Sequence, residues 1–540
     1  MDIALPVLGG LGLFLYGMNI MGTGLEKAAG ERLKRLIEIL TSNRLMGVIV
    51  GTVVTMIIQS SSATSVMVVG FVNAGLMNLS QAVGVIMGAN IGTTVTVQLI
   101  AFDLTDIAPL AVAIGVAIWL ATSKKKLKSL AEVLIGFGVL FIGMDMMGNG
   151  LKPLAGNPVF SNIMSSLNDP FLGILVGFGL TTLIQSSSAS IGLLQTLASL
   201  GLVDINIAFP ILFGDNIGTT TTAMLSSIGA NRTAKRAAVM HFLFNLIGTI
   251  IFIVVLRVPI QAIVTKISPY DVKRQIANAH TLFNVINAIV LFPFANLLVK
   301  AAEKLVPGED RKEEEPGLKY LDARILETPS IALGQVVKEV YRMANIVEAN
   351  FKTAYQAFVD KDQNLTQEVF NNERLINQLE TDIIQYLVKL SNKPLTEKQH
   401  VQLNALIKTV NDIERVGDHS DNIAELVQIA IENDLPFSDT AVKELETIFT
   451  KTFQAFKAAS EAFYTVDFEK ARETLKLEEE IDALEEEYRN NHIKRLNNML
   501  CTPHSGVIFL DLLSNLERIS DHSSNIALYV LDALKDDKLM

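Results

Sequence analysis

The sequence repeats itself across a fixed distance, with three separated blocks recurring at one ungapped offset of 126 residues. Residues 12–30 (GLFLYGMNIMGTGLEKAAG) match 138–156 (GVLFIGMDMMGNGLKPLAG) at 9 of 19 positions. Gln59–Ala63 (QSSSA) returns as Gln185–Ala189, and Gly88–Thr96 (GANIGTTVT) returns as Gly214–Thr222 (GDNIGTTTT) with 7 of 9 positions identical. So regular a repeat means that one structural unit is built twice. Both copies lie in the first 304 residues, where 19 basic and 13 acidic side chains give a net of +6 and leave about a tenth of the positions charged. A soluble domain so poor in charge would lack surface polarity, so this part is expected in a membrane. The remaining 236 residues carry 26 basic and 43 acidic side chains, about 29% charged with a net of −17, and read as soluble. The division excludes a secreted protein, a purely cytosolic enzyme and a nucleic-acid binder driven by a basic tail.

Spanning a bilayer takes about 20 apolar residues. Stretches of that kind run over 5–25, 107–122, 130–150, 238–256 and 276–299, whereas 45–102 and 171–228 are interrupted by Gly, Ser, Thr and Asn. Interrupted stretches read as half-helices and hairpins, tolerated at membrane depth where they line a polar cavity. Met1–Gly10 lacks the basic region of a cleavable signal and reads as the start of a retained span. Cys501 stands alone, which excludes an internal disulfide or a Cys-based metal site.

Charge gives the relative orientation of the copies, because short cytoplasmic loops are enriched in Lys and Arg. Lys27, Arg32, Lys34, Arg35 and Arg44 follow the first span, while the equivalent stretch of the second copy, around 152–170, has one Lys. Asp103 and Asp106 mark a loop without positive charge, and its counterpart holds Arg232, Lys235 and Arg236. The bias swaps between copies, so the repeats are expected to be inverted, with Lys124–Lys126 and Lys128 cytoplasmic. The last span then ends inside at Lys300, and the acidic part is cytoplasmic.

A polar segment over 305–329, containing PGEDRKEEEPG, reads as a linker. Six apolar-periodic stretches follow, at 331–360, 364–391, 396–433, 437–465, 467–499 and 505–535, and are expected as amphipathic helices. Glu414–Ile423 (ERVGDHSDNI) matches Glu517–Ile526 (ERISDHSSNI) at an offset of 103, which suggests two three-helix halves.

The chemistry of the membrane part concentrates in the duplicated blocks. Serine runs compete for backbone hydrogen bonds, so Ser60–Ser62 and Ser186–Ser188 are expected to break membrane helices. A broken helix offers free N–H groups and a positive dipole end to an anion, and its loose carbonyls and hydroxyls suit Na⁺. Asn90, Thr93, Thr94, Asn216, Thr219 and Thr220 add neutral oxygens, which favour a hard monovalent cation over a transition metal.

The paired QSSS runs on a duplicated apolar unit, each followed by NIGTT, resemble the type II sodium–phosphate cotransporters over roughly residues 5–300. The resemblance implies Na⁺-driven uptake of inorganic phosphate, with Gln59, Ser60, Ser61 and Ser62 and Gln185, Ser186, Ser187 and Ser188 as phosphate ligands. Thr64 and its counterpart Ser190, with Asn90, Thr93, Thr94, Asn216, Thr219 and Thr220, become sodium contacts. The chain lacks the large loop between repeats of the animal members and looks like a bacterial-type member. No basic residue stands between Arg44 and Lys124 or between Lys152 and Arg232. A divalent anion there must be neutralised by bound cations and helix ends, so coupling to Na⁺ follows as a physical need.

Asp215 stands opposite Ala89 and breaks the symmetry of the copies. Intramembrane carboxylates are functional candidates, and Asp215 is read as a Na⁺ ligand or proton-sensitive group, with a helix cap or a wet vestibule as alternatives. Asp145, opposite Asn19, reads as a structural polar contact. His241 with Asn245 and His280 with Asn284 are spaced i, i+4, which fits interhelical hydrogen bonding or a gate.

In the acidic part, Glu414 with Asp418 and Glu517 with Asp521 share the i, i+4 spacing that carboxylate metal sites in helical bundles use. These motifs and the two halves resemble PhoU, a regulator of phosphate uptake, over about 330–535. The resemblance implies metal binding by those four carboxylates, a transition metal being the candidate, with His419 and His522 pointing off their face. No nucleophile–base pair, P-loop or dinucleotide fingerprint suggests an enzyme.

The expected protein is all-α: a multi-pass transporter domain over 1–304, with repeats at about 5–129 and 130–256 and a final span at 276–299, then a cytoplasmic six-helix PhoU-like bundle over 330–540. It would sit in the inner membrane, import phosphate with Na⁺ as coupling ion, and form homo-oligomers or contact regulatory proteins through the bundle, without nucleic acid. The rival expectations are a phosphate sensor or scaffold and a sodium-coupled carrier of another oxyanion.

Overall fold

The computed structural model describes residues 3–29, 43–102, 104–308 and 317–538, and all regular structure among them is helical. Arg32, Lys34, Arg35 and Asp103, which carry part of the charge argument, lie outside the described residues, as does most of PGEDRKEEEPG. The chain divides into two compact units, one of Met1–Lys312 with Asp322–Ser330, the other of Glu313–Leu321 with Ile331–Met540.

The first unit begins with α1 (Ala4–Ala29), α2 (Arg44–Ile58), α3 (Ser61–Asn73), α4 (Leu79–Ala101), α5 (Ala108–Ala121) and α6 (Lys125–Leu151). It continues with α7 (Pro158–Ser166), α8 (Pro170–Ile184), α9 (Ser187–Ser199), α10 (Ile205–Gly218), α11 (Thr220–Ser226) and α12 (Arg232–Ile251). A π segment, Phe252–Leu256, leads into α13 (Arg257–Ile267), and α14 (Val272–Leu291) and α15 (Ala295–Leu305) end the run. Among the described residues, five helical segments are long and apolar enough to cross a bilayer: Ala4–Ala29, Leu79–Ala101, Lys126–Leu154, Arg232–Ile267 and Val272–Leu305. The stretch expected to span over 107–122 forms α5, whose 14 residues reach only ~21 Å against a hydrocarbon core of ~30 Å.

Glycines let the equivalent helices of the two copies touch backbone to backbone. A Cβ on Gly17 would lie 2.6 Å from the Gly136 carbonyl, and one on Gly136 would lie 2.6 Å from the Gly17 carbonyl. Gly10 and Gly143 oppose each other in the same way, at 2.7 and 2.6 Å. As α1 advances from 10 to 17, α6 therefore retreats from 143 to 136, so the two helices run antiparallel. Within each copy a glycine also seats the hairpin's first helix: a Cβ on Gly88 would meet the Val48 carbonyl at 2.1 Å, and one on Gly214 the Ile174 carbonyl at 2.1 Å. Contacts this close are the usual way of packing helices where burial against lipid gives no driving force.

The second unit is built from α16 (Pro329–Asp360), α17 (Gln363–Ser391), α18 (Glu397–Glu432), α19 (Asp439–Thr465), α20 (Phe468–Asn497) and α21 (Pro503–Lys538). Each lies within three residues of its expected stretch, because the apolar period agrees with the caps: Thr396 closes a capping box with Gln399, and Ser438 accepts from the Ala441 N–H.

Candidate ion and substrate site

Each QSSS run breaks its helix as the serines demand, and the two breaks are near copies. Gln59 ends α2 in the left-handed region at φ 59°, and Gln185 ends α8 at the same φ. The Gln59 N–H donates to the Thr55 carbonyl and the Gln185 N–H to the Thr181 carbonyl, both at 2.8 Å. The side chains then hold the strained turn. Gln59 Nε2 donates to the Met56 carbonyl while Oε1 accepts from Thr96 Oγ1 at 2.8 Å. Gln185 Nε2 donates to the Thr182 carbonyl at 2.7 Å, and its Oε1 accepts from Thr222 Oγ1 at 2.7 Å. The next residue, Ser60 or Ser186, is extended and caps α3 or α9 by accepting the Ala63 or Ala189 N–H at 3.1 and 3.2 Å. These hairpins place two helix N-termini, rich in hydroxyls, where an oxyanion or Na⁺ can be received. The hairpins differ in access, since Gln59 is buried and Gln185 is exposed.

The second blocks pack beside the breaks. Asn90 Nδ2 donates to the Ile86 carbonyl at 2.8 Å and Asn216 Nδ2 to the Leu212 carbonyl at 2.9 Å, which ties each amide nitrogen to its own helix. Thr94 and Thr220 bond back to Ile91 and Ile217 at 2.8 and 2.7 Å, and Thr219 to the Asp215 carbonyl at 2.9 Å. Thr93, Ser61, Ser187 and Ser188 are buried, and Ser62 is half-buried. The copies part at the block itself, where α4 runs unbroken and its counterpart divides into α10 and α11.

The sharpest difference lies at Asp215, which is 0% exposed. Its Oδ1 accepts from Thr181 Oγ1 at 2.7 Å and Ser190 Oγ at 2.6 Å, while Oδ2 is buried with no hydrogen-bond partner. In the first copy Ala89 offers nothing, and the equivalent hydroxyls meet directly, Thr55 Oγ1 to Thr64 Oγ1 at 2.9 Å. The second copy therefore holds a carboxyl group with one unpartnered oxygen, and the first holds a neutral hydroxyl pair. Thr55, Thr181, Thr96 and Thr222 are the site residues that residue-type reasoning passed over, although each pair is identical at the 126-residue offset.

Asn284 Nδ2 reaches Asn216 Oδ1 at 3.5 Å and the His280 carbonyl at 3.0 Å, and Asn245 Nδ2 donates to the His241 carbonyl at 3.1 Å. Asn287 Nδ2 bonds the Phe244 carbonyl at 3.1 Å, joining α14 to α12. Of the two doublets, the second reaches the second block through Asn284, while Asn245 bonds within α12 and both ring nitrogens of His241 are buried with no hydrogen-bond partner, so the interhelical bonding expected of the first doublet is not made. Asp145 accepts from Asn149 Nδ2 at 3.0 Å, a local contact.

Two tandem matches to the Na⁺/Pi-cotransporter family model cover residues 13–149 and 140–268, and two to the PhoU domain cover 340–427 and 445–530. The chain belongs to the Na⁺/Pi-cotransporter family and carries a PhoU domain. It is a multi-pass membrane protein of a family of transporters rather than enzymes. It is 24% identical over 539 residues to YjbB of Salmonella typhimurium, which carries a provisional name as an inorganic phosphate export protein, covering 99% of this chain and 98% of that one. It is 23% identical over 380 residues to sodium-dependent phosphate transport protein 2A of Rattus norvegicus, covering 46% of this chain and 60% of that one. Among solved structures it resembles PhoU from Pseudomonas aeruginosa, with a TM-score of 0.36 and 23% identity over 37% of this chain and 96% of that one.

In the PhoU domain the four expected carboxylates lie two in each half; Glu414 and Asp418 pair with Arg415 at 3.7 and 3.0 Å, and of the four only Asp521 joins a close carboxylate cluster among the described residues. Asp521 gathers with Glu478 and Asp482, the three offering ligand oxygens within 4.8 Å of one another. Glu517 lies beside them, its carboxyl raised by burial and by the Asp521 charge. In the first half, Glu373 is pushed up to about 8 by burial and by the charges of Asp418, Asp421 and Glu414. Asp421 is pushed up to about 6 by burial and the Glu425 charge. Both oxygens of Glu373 are buried without a partner, and a Cβ on Gly417 would come within 3.0 Å of one of them. Oxygen ligands held together against their repulsion fit a hard cation. His419 and His522 turn away to the seam between halves, Nδ1 of each meeting Asn515 at 2.9 Å and Asp412 at 2.8 Å respectively. Glu478 and Asp482 have the same i, i+4 spacing as the expected pairs and were legible by the same rule.

Proposed function

We propose that this chain is a sodium-coupled secondary transporter of inorganic phosphate, working by alternating access around the two QSSS hairpins and regulated by its PhoU domain. The observation that carries the reading is the pair of matched breaks, at Gln59–Ser62 and Gln185–Ser188, in segments with no Lys or Arg. Phosphate is received by those eight residues. Sodium is held by Thr64, Asn90, Thr93 and Thr94 in one copy and by Ser190, Asp215, Asn216, Thr219 and Thr220 in the other. With no guanidinium to clamp it, the anion enters with cations, each lowering the cost of placing the other in low dielectric.

The antiparallel packing of α1 on α6 supports inverted repeats. The two helices are equivalent by sequence, and their glycine contacts exchange when the copies are exchanged. A pseudo-twofold axis crossing membrane helices lies in the membrane plane, the arrangement from which rocking carriers are built. In this reading residues 1–304 are the transport domain of an inner-membrane protein, and residues 330–540 a cytoplasmic regulator that holds metal at its carboxylate groups. That regulator also offers the surface for homo-oligomers or partner proteins.

With sodium higher outside, coupled transport runs inward. The full-length likeness to a protein named for phosphate export favours a second reading, in which the same carrier works outward. Labelled phosphate flux in proteoliposomes, with sodium or choline, tests the proposal. Sodium-dependent accumulation supports it, saturable binding without accumulation makes the chain a sensor, and competition by sulfate identifies another oxyanion as substrate.

A further inference from the structure

The stretch expected as linker ends in a segment that the first unit buries. Asp322–Ser330 belongs to that unit, forms a 3₁₀ turn over Ala323–Glu327, and hides Ile325 and Leu326, which are 0% and 7% exposed. Its polar side chains hold both repeats at once. Asp322 Oδ2 accepts from Asn73 Nδ2 at 2.8 Å, and Asn73 ends α3, the helix that starts inside the first QSSS run. Arg324 pairs with Asp322 at 2.7 Å and donates to the Ser226 carbonyl at 2.5 Å and the Ile228 carbonyl at 3.3 Å. Those carbonyls close α11, which leads out of the second repeat's NIGTT block. Asn73 is itself locked to the second repeat, accepting the Asn231 N–H at 2.8 Å on Oδ1 and Asn231 Nδ2 at 2.9 Å on its carbonyl. The segments on both sides of the turn are fixed within the other unit. Before it, Lys319 and Tyr320 donate backbone N–H groups to the fully buried Glu339 at 2.9 and 2.5 Å, and Arg342 donates to the Gly317 carbonyl at 2.6 Å. After it the chain passes directly into α16.

We propose that Asp322–Thr328 is a staple across the two repeats, docked on α3 and the end of α11, through which the PhoU domain restrains transport. Alternating access requires one repeat to move against the other, and a charge-assisted bridge between them opposes that motion. A change in the bundle that pulls on either flank releases Arg324 and frees the hairpins. The inference rests on the alternating-access reading above, and the two fail differently: without phosphate flux in the wild type that reading falls, whereas the staple is judged by flux relative to the wild type.

The test uses the full chain in proteoliposomes with labelled phosphate. Arg324→Ala is expected to raise the initial rate about threefold or more with the phosphate KM unchanged, and Asn73→Ala to act in the same direction; rates at or below wild type would overturn the proposal. A Cβ on Gly70 lies 3.3 Å from Arg324 Cβ, near the range of ~3.5–4.5 Å that a disulfide spans. In a Cys501→Ser background, Gly70→Cys with Arg324→Cys should therefore transport fast when reduced and at or below the wild-type rate when oxidised, while Cys501→Ser alone ignores reductant. Equal rates in both states with the cross-link demonstrated by peptide mass, or no cross-link at all, would contradict the docking.

Discussion

Replacing Asp215 by Asn removes one charge and little else. The Asn Oδ1 still accepts from Thr181 and Ser190, which now donate at 2.7 and 2.6 Å, so the fold keeps its local bonds. A cation ~4 Å from a carboxylate gains ~4 kcal/mol at an effective dielectric of ~20. The amide oxygen retains part of that, and the ion-free carboxylate carries a desolvation cost that Asn relieves, so the net loss is ~2–3 kcal/mol of sodium affinity. Sodium half-activation should thus rise roughly 30- to 150-fold. Phosphate KM at saturating sodium should stay within about threefold, while at low sodium it climbs through reciprocal coupling. The assay is initial phosphate flux in proteoliposomes against sodium concentration at two phosphate levels. A sodium activation curve unchanged by Asp215→Asn would refute the assignment of Asp215 as a cation ligand.

Gly88→Ala or Gly214→Ala should each push α4 from α2 or α10 from α8, since the added carbon meets a carbonyl at 2.1 Å; ~3 kcal/mol or more of destabilisation should show as a lower unfolding temperature in detergent. Gln185→Ala leaves the left-handed turn and removes both side-chain bonds, at ~1–3 kcal/mol, and phosphate flux should fall well below that of Gln185→Asn, which tolerates the conformation. In the PhoU domain, Glu373 binds its proton more tightly folded than unfolded. Its contribution is therefore favourable below about 4.5 and is lost as pH rises to about 8. The domain should accordingly destabilise across that window, Glu373→Gln should flatten the slope, and Mg²⁺ or Mn²⁺ should raise the unfolding temperature above pH 8 but not in acid.

Much of this was legible because local and global signals agree. The six helices of the second unit follow apolar periods that their caps confirm, and the breaks at Gln59 and Gln185 follow from serines that cap better than they propagate. The partners of those breaks were harder to see. Thr55 and Thr181 sit in largely apolar helices; the turn at Gln59 brings Thr55 onto Thr64, whereas Thr181 meets Asp215 where α8 packs against α10. The short α5 reads as a full span because its residues are apolar throughout, while its length is fixed by the 3₁₀ turn Thr105–Ile107 before it and the extended Thr122 after it. The staple was invisible for the opposite reason. Asp322–Thr328 follows a charged linker and has no period of its own, so its burial is decided by Asn73, Ser226 and Ile228, far away in sequence.

The most direct test of sodium-coupled transport is to load proteoliposomes of the full chain with equal labelled phosphate inside and out, then impose a sodium gradient in either direction. Phosphate should accumulate on the low-sodium side, reversing when the gradient is reversed and failing with choline. Equilibration at the same rate with or without a sodium gradient, and no accumulation on either side, would contradict the account.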